Sequence, residues 1–270
     1  MKIENVNLEE LQSVVAGLRA NDEAADSSVP DEWGRSDETV EQFAGLFDFL
    51  YDRWFRTEVT GLANIPDGGA LLAANHAGAL PPDATQIIWA LRRGLGRDLY
   101  MLGDDMLARF PVFGRVFRRL GGVEANPETG RALLGEQGKL GLVFPEGTKG
   151  SAKHVSDRYQ LRRFGRGGFV RLAMDAGVPI VPVAVVGAEE AMPIVANVPA
   201  VAKLFNMPYA PITPWIWLPA KFQIRFLTPI DVADGPTDDH TVQLHTERIR
   251  AVVQDALLDM VAKRRRVFRG

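Results

Sequence analysis

Two patterns of apolar and polar residues follow one another along most of this chain, short apolar runs and stretches with apolar residues at helical spacing. Short apolar runs predict strands at 59–62, 70–74, 99–102, 140–144, 180–186 and 222–227. Between these runs, apolar residues recur every three or four positions and predict helices at 83–93, 112–120, 129–137, 168–176 and 237–265. Several of the strands are apolar throughout, which is typical of strands covered on both faces. The pattern therefore predicts an α/β fold with a mostly parallel central sheet flanked by helices.

The N-terminal part of the chain follows a different pattern. Helical spacing predicts a first helix at 8–19, a polar linker follows at 21–38, and a second helix is predicted at 39–56. The second helix carries a wide apolar stripe that is rich in aromatic residues. The stripe either packs on the core or partly faces a membrane. The second alternative is considered because one buried face needs fewer aromatic side chains than this helix has. We therefore predict an N-terminal helical segment with a linker at 1–57, a candidate for membrane docking, and an α/β domain at 58–270.

Composition and charge narrow the function. The chain has no cysteine, which excludes a disulfide, a thiolate nucleophile and a cysteine zinc site. Its net charge is −3, but residues 1–48 carry −9 and the remainder +6, so the body of the protein favours anionic partners such as phosphates or a lipid surface. Residues 1–10 are polar and acidic, unlike a signal peptide, and no run is apolar enough to span a bilayer as a helix. We therefore predict a cytoplasmic protein.

A histidine and an aspartate stand at the two ends of one predicted loop. His76 follows the apolar run 70–74, so we expect it at the carboxyl end of a strand, where ligands bind in open α/β sheets. Asp83 starts the next predicted helix, and its carboxylate would fix the tautomer of the histidine, which could then take a hydroxyl proton. Asp83 has a second interpretation as a helix N-cap, with Gln86 completing a capping box, and the two roles are compatible.

Two further motifs accompany this loop. A tight polar turn, Phe-Pro-Glu-Gly-Thr-Lys-Gly, occupies 144–150, and the apolar stretch Gly-Val-Pro-Ile-Val-Pro-Val occupies 177–183. Together with the loop at 75–83, and in this order, the motifs resemble those of the glycerolipid acyltransferase superfamily, the family of bacterial lysophosphatidate acyltransferases. The resemblance extends from residue 59 to residue 230.

The resemblance implies that 58–270 is an acyltransferase domain with a glycerolipid hydroxyl as acceptor. Its co-substrate would be acyl-CoA or acyl carrier protein, with no other cofactor and no metal. It implies catalytic roles for His76 and Asp83. Because the chain has no cysteine and no Gly-x-Ser-x-Gly motif, a direct transfer fits better than an acyl-enzyme. The residues it assigns to substrate binding are Asn75, Glu146, Gly147, Thr148 and Lys149. Glu146 would either bind the acceptor hydroxyl or hold its loop, and Lys149 and Lys153 are candidates for contacting phosphate.

Two departures from the family pattern bear on the acceptor. Six residues lie between the candidate histidine and aspartate, where the family usually has four, and this longer loop resembles the branch that includes mono- and diacylglycerol acyltransferases. The family's phosphate-binding arginine has no counterpart in 121–127. Arg118 and Arg119 are candidate replacements. Arg166, in a basic, glycine-containing start of a predicted helix, is either an anion-binding residue or part of a solvated loop. The acceptor is therefore open between lysophosphatidate and a neutral glyceride.

Two other functions are compatible with the sequence. One is a thioesterase-like hydrolase, in which water replaces the alcohol, and the other is a non-catalytic lipid-binding protein of the same fold. Neither a P-loop nor a Gly-x-Gly-x-x-Gly motif is present, so a nucleotide-binding enzyme is not predicted. The predicted partners are the acyl donor, the lipid acceptor and a membrane surface, without nucleic acid. We expect a phospholipid-synthesis enzyme peripheral to the inner face of the cell membrane.

Overall fold

The computed structural model describes residues 30–77, 82–103, 111–147, 150, 152–198, 203, 210–214, 216–233 and 235–268. The helix predicted at 8–19 lies outside these residues. In the described part, strands and helices alternate in the predicted order. None of the helices there is long and apolar enough to cross a membrane.

The elements are numbered along the chain. The helices are α1 (Asp37–Asp48), α2 (Pro82–Leu95), α3 (Pro111–Arg119), α4 (Pro127–Gly130), α5 (Gly168–Ala176), α6 (Ala188–Ala191) and α7 (Asp239–Lys263). The strands are β1 (Glu58–Thr60), β2 (Ala70–Ala74), β3 (Leu99–Gly103), β4 (Gly122–Glu124), β5 (Leu140–Val143), β6 (Ile180–Val186), β7 (Ala196–Asn197), β8 (Pro211–Ile212) and β9 (Gln223–Phe226). Wider π-helical turns continue α1 at Phe49–Trp54 and α4 at Arg131–Glu136, and 3₁₀ turns occupy Leu62–Asn64 and Val155–Asp157.

Seven strands form one sheet in the order β1-β9-β6-β2-β5-β3-β4. Every neighbouring pair is parallel except β6 with β9. The strands β6, β2, β5, β3 and β4 therefore end at one edge of the sheet, here called the carboxyl edge, and begin at the opposite amino edge. The predicted, mostly parallel α/β architecture is confirmed. Strands β7 and β8 pair with each other in a separate antiparallel ribbon.

Helices cover both faces of the sheet, and side chains alternate between the two cores. Leu72 of the central strand β2 packs in a core with Ile87 of α2, whereas its neighbour Leu71 packs in the other core with Val170 of α5 and Ile249 of α7. All five residues of β2 are inaccessible to solvent. This burial on both faces explains why the strand is apolar throughout.

The helix predicted at 39–56 forms as α1 and its π-helical continuation. Its side chains Val40, Phe47, Leu50 and Phe55 are buried in the same core as α2, and Ser36 caps the helix by accepting the N–H of Thr39 at 3.2 Å. The apolar stripe of this helix thus packs on the α/β domain. The described part of the N-terminal segment and the sheet share one hydrophobic core.

The differences from the predicted elements have local causes. Strand β4 was not predicted, because it is only three residues long and begins with a glycine that interrupts the apolar pattern. The β7–β8 ribbon was not predicted either, since each of its strands has two residues. Helix α2 begins at Pro82, one residue before the predicted start.

Candidate active site

Two of the motif loops meet at the carboxyl edge of the sheet. The loop after β2 carries His76, and the turn after β5 begins with Phe144. The two strands are parallel neighbours, with Ala73 opposite Val143. The rings of His76 and Phe144 are stacked, with centroids 4.0 Å apart and 25° between their planes. The stacking fixes the plane of the imidazole at the end of the central strand.

The structure brings the predicted histidine and aspartate together. His76 Nδ1 lies 3.0 Å from Oδ2 of Asp83, whose carboxylate is buried. The same carboxylate accepts the N–H of Ala77 at 3.1 Å and the N–H of Ala84 at 2.8 Å. A carboxylate beside Nδ1 favours the tautomer with the proton on that nitrogen, which leaves Nε2 as the basic atom. The side chain of His76 is 15% exposed, so the ring is partly accessible to solvent.

The capping box predicted around Asp83 does not form. Because α2 begins at Pro82, Asp83 lies in the first turn of the helix and not at its N-cap. Gln86 is fully buried and accepts the hydroxyl proton of Thr57 at 2.6 Å, so it does not reach back to the start of the helix. The position still suits an acid, because a negative charge in the first turn interacts favourably with the helix dipole.

Replacing Asp83 with asparagine should lower the rate of any reaction in which His76 acts as the base by about 10²- to 10⁴-fold. The amide cannot stabilise an imidazolium as a carboxylate does. The amide also places a donor where one of three hydrogen-bonded groups now donates to the carboxylate. We therefore expect a loss of about 1–2 kcal/mol in the free energy of unfolding. Steady-state kinetics and urea denaturation measure the two effects, with Asp175→Asn, at an exposed position of α5, as the control. An unchanged kcat with reduced stability would leave Asp83 a purely structural role.

Asn75, which the resemblance assigned to substrate binding, holds the sheet together at this point. Its Nδ2 donates to the carbonyl of Val185 at 2.9 Å, and its Oδ1 accepts the N–H of Val185 at 2.8 Å. The side chain thereby extends the pairing of β2 with β6 by one step beyond the strand end. Asn75 is buried, so the structure places it as a positioning residue beneath His76.

Glu146 lies in a buried ionic cluster under the turn after β5. Its Oε1 accepts the N–H of Arg162 at 2.5 Å, and its Oε2 lies 3.3 Å from Nζ of Lys153. The same Nζ lies 3.1 Å from Oε1 of Glu189, whose other oxygen accepts the N–H of Tyr159 at 2.9 Å. We call Glu146, Lys153 and Glu189 the buried triad. Of the two roles predicted for Glu146, this geometry favours holding the loop.

The buried triad has one more carboxylate than it has cations. The side chains are 0%, 2% and 7% exposed for Glu146, Lys153 and Glu189. Burial raises the pKa of Glu189 above its usual range, and the neighbouring Lys153 counteracts only part of that shift. Lys153, a candidate for contacting phosphate, is enclosed between two carboxylates and does not face solvent.

Two positions of the turn require glycine, one because of its backbone conformation and one because of the space available. Gly147 has φ +56°, in the left-handed region that favours glycine, and its N–H donates to the carbonyl of Phe144 at 2.9 Å. A Cβ on Gly150 would lie 2.6 Å from Cβ of Glu146, so any side chain there would displace the buried triad. Thr148 and Lys149 fall outside the described residues.

Arg166 lies at the carboxyl edge beside this turn. It is exposed and precedes α5, which starts at the same edge. The chain before it runs along the turn: the N–H of Arg162 binds Glu146, and a Cβ on Gly165 would lie 3.7 Å from the carbonyl oxygen of Pro145. Arg166 is thus on the same side of the sheet as His76.

Arg118 and Arg119 lie at the opposite edge of the sheet, the amino edge. They end α3, which leads into the first residue of β4, so both are at the amino edge. There the carbonyl of Arg119 accepts the N–H of Ser36 at 2.9 Å. The sheet separates these arginines from the His76 loop. The structure therefore does not bring Arg118 and Arg119 together with the other predicted substrate-binding residues.

Sequence reasoning missed the residues that support the site from below. Glu189 follows β6, and only the three-dimensional fold brings it to Lys153. Phe144 was assigned to a strand, although its ring lies against His76. Among the residues that the structure describes, no group of three or more His, Asp and Glu side chains is arranged to hold a metal ion.

Comparisons with known proteins bear on this arrangement. Residues 56–186 match the family model described as Acyltransferase. An uncharacterized protein of Mycobacterium tuberculosis is 40% identical over 281 residues, which cover 98% of this chain and 78% of that protein. The "DGAT1/2-independent enzyme synthesizing storage lipids" of Gallus gallus is 26% identical over 228 residues, 84% of this chain and 65% of that protein.

A solved structure shares the fold. The crystal structure of the 1-acyl-sn-glycerophosphate (LPA) acyltransferase PlsC from Thermotoga maritima matches with a TM-score of 0.55 and 20% sequence identity, over 84% of this chain and 80% of that one. The residues matched by the family model include β2, β5 and β6, and they contain His76, Asp83 and Glu146. On its sequence, its fold and these comparisons, the chain belongs to the glycerolipid acyltransferase superfamily.

Proposed function

We propose that this acyltransferase moves a fatty acyl group from acyl-CoA, or from acyl carrier protein, to a hydroxyl of a glycerolipid. The observation that supports this most strongly is the contact of His76 Nδ1 with the buried carboxylate of Asp83 at 3.0 Å. That contact leaves Nε2 of an accessible ring as a base at the carboxyl edge. A base of this kind, without a covalent nucleophile, suits the deprotonation of an alcohol.

The proposed reaction is a direct transfer. His76 Nε2 takes the proton of the acceptor hydroxyl as its oxygen attacks the thioester carbonyl, and Asp83 stabilises the imidazolium that forms. The tetrahedral intermediate then breaks its C–S bond, the ester forms, and the thiolate leaves with the proton that His76 returns. No net proton is taken up, so the histidine is regenerated in each cycle.

An acyl-enzyme is not part of this proposal. The chain contains no cysteine and no Gly-x-Ser-x-Gly motif, so neither common nucleophile for a covalent intermediate is in place. The side chain stacked on His76 is the apolar Phe144, which can take no part in acyl transfer by itself. We therefore propose that the alcohol attacks the donor directly.

A hydrolase is the alternative, because the same pair could activate water. The two functions differ in what CoA release requires. The test is a CoA-release assay over a panel of lysophospholipids and glycerides. Acyl-CoA should be consumed only when a glycerolipid acceptor is present, and His76→Ala should abolish this acceptor-dependent release of CoA. CoA release at the same rate without any acceptor would overturn the transferase in favour of the hydrolase.

The placement of the arginines bears on the acceptor. Arg118 and Arg119 lie at the amino edge and cannot replace the missing phosphate-binding arginine beside His76. The relative from Gallus gallus, by its name, synthesizes storage lipids, which supports a neutral glyceride as acceptor. The PlsC structure, an LPA acyltransferase, shares the fold with this chain. We therefore propose that the enzyme either discriminates weakly between lysophosphatidate and a neutral mono- or diglyceride or prefers the neutral acceptor.

With the same acyl donor, kcat/KM for lysophosphatidate should exceed that for monoacylglycerol by less than about tenfold, since an arginine–phosphate pair contributes about that factor or more. Any preference that exists should come from Arg166 and fall in Arg166→Ala. Arg118→Ala is the matched control, an exposed arginine at the opposite edge. A large preference for lysophosphatidate that collapses in Arg118→Ala would contradict both the neutral acceptor and the assigned edge.

A further inference from the structure

Three exposed apolar side chains lie on or beside the β7–β8 ribbon. Val195 and Ile212 are each 51% exposed, and Ile216 is 75% exposed. Val195 immediately precedes β7, and its N–H donates to the carbonyl of Ile212 at 3.0 Å, while Ala196 lies opposite Ile212 in the register. Large aliphatic side chains this exposed, on one small element and on the residues beside it, are typical of a surface that a partner covers.

The ribbon projects from the edge that carries the candidate active site. It follows α6 and the carboxyl end of β6, and β6 is parallel to β2, which leads to His76. Asn75, next to His76, is bonded to Val185 at that end of β6. The exposed aliphatic residues and the catalytic histidine are therefore on one side of the molecule.

An arginine-rich segment lies next to the ribbon. The N–H of Val155 donates to the carbonyl of Ile194 at 2.8 Å, and His154 Nε2 lies 2.9 Å from the carbonyl oxygen of Val195. The chain then continues through Arg158 and Arg163, both exposed, to the turn beside Glu146. Within 152–166 the exposed arginines outnumber the single acid, Asp157, whose carboxylate pairs with Arg162.

The N-terminal helix, the docking element considered from sequence, has the opposite character in its described part. The aromatic stripe of α1 and its continuation is buried or half-buried, and none of its large apolar side chains is exposed. Its outward residues include Glu41, Asp48 and Asp52, which pair with arginines of α2. The charges on this surface are therefore largely compensated, and it offers neither an exposed apolar side chain nor unpaired cations of α2 for an anionic lipid surface.

We propose that the ribbon residues Val195, Ile212 and Ile216, together with Arg158 and Arg163, form a surface that docks on an anionic lipid bilayer. The aliphatic side chains enter the interfacial layer while the arginines bind the phosphate groups, the combination by which peripheral proteins bind membranes. The inference rests on the proposed function for its purpose. It would turn the site of His76 toward the bilayer, so that a lipid acceptor reaches the histidine without crossing water.

Vesicle flotation of the full chain, without any substrate, tests this surface. Binding should be clear with vesicles that contain phosphatidylglycerol, weak with phosphatidylcholine alone, and reduced by salt. Ile212→Asp and Ile216→Asp, and separately Arg158→Gln with Arg163→Gln, should each lower the partition coefficient by about tenfold or more. Leu95→Asp is the control, since Leu95 is 40% exposed at the end of α2, on the amino edge. Thermal melts confirm that each variant is folded.

The contrary outcomes are specific. Equal binding by wild type and the folded ribbon variants would overturn the surface. So would a loss that appears only in Leu244→Asp, which alters an exposed apolar position of α7. Because flotation needs no acyl donor or acceptor, its failure leaves the proposed reaction untouched. Conversely, vesicle binding by a protein that transfers no acyl group would keep the docking surface and refute the reaction.

Discussion

Replacing His76 with alanine should lower the rate of acyl transfer by about two to four orders of magnitude, the usual contribution of a general base. The alanine removes Nε2, and no other described side chain is placed against Asp83 Oδ2 to take over the proton. The fold should persist, because the imidazole is partly exposed and contacts the protein chiefly through Asp83 and the ring of Phe144. The measurement is kcat with saturating donor and acceptor, alongside a thermal melt.

His240→Ala is the matched control for this variant. His240 is exposed at the start of α7, and the bond that its residue makes there comes from its backbone N–H. It should keep full activity. A folded His76→Ala protein that retains the wild-type rate would show that the base is elsewhere.

Replacing Lys153 with methionine should have the largest effect on stability, a loss of about 3–5 kcal/mol in the free energy of unfolding. The ammonium is the cation between Glu146 and Glu189, and without it two buried carboxylates face each other. For a chain of this size the loss corresponds to a fall on the order of 10 °C in melting temperature. Urea denaturation measures it, with the exposed Lys203→Met as the control.

Two comparisons separate this charge effect from lost packing. Adding Glu189→Gln to Lys153→Met removes one of the opposed charges and should restore part of the stability. The loss should also be smaller at acidic pH. A folded-state pKa raised above the unfolded value, as for Glu189, gives a contribution that is present below the unfolded pKa and lost as pH rises through the folded one. A loss that is independent of pH and of Glu189 would contradict the buried triad.

The pattern of apolar and polar residues predicted most of the strands and helices of the fold. The strands at 70–74 and 180–186 and the helix at 168–176 have the predicted bounds, because uninterrupted burial leaves an uninterrupted apolar run. The pattern failed where burial is partial or the element is short. Strand β4, with its glycine, was overlooked for that reason.

That omission also explains why Arg118 and Arg119 were predicted as substrate-binding residues. Without β4, nothing in the sequence indicated that α3 leads into a strand of the sheet, and therefore that its last residues lie at the amino edge. His76 and Asp83 were easier to find, because a strand end and a helix start are joined by one short loop. The partnership of Lys153 with Glu189 depends on the return of the chain through α5 and β6, which local patterns do not encode.

The fate of the acyl group tests the proposed transfer most directly, and one measurement follows it. Wild-type protein is given acyl-CoA with an unlabelled monoacylglycerol, and the CoA released and the ester formed are quantified by mass spectrometry in the same sample. We expect one ester for each CoA, with almost no CoA released when the acceptor is omitted. Free fatty acid in place of ester, formed at the same rate with or without the acceptor, would contradict it.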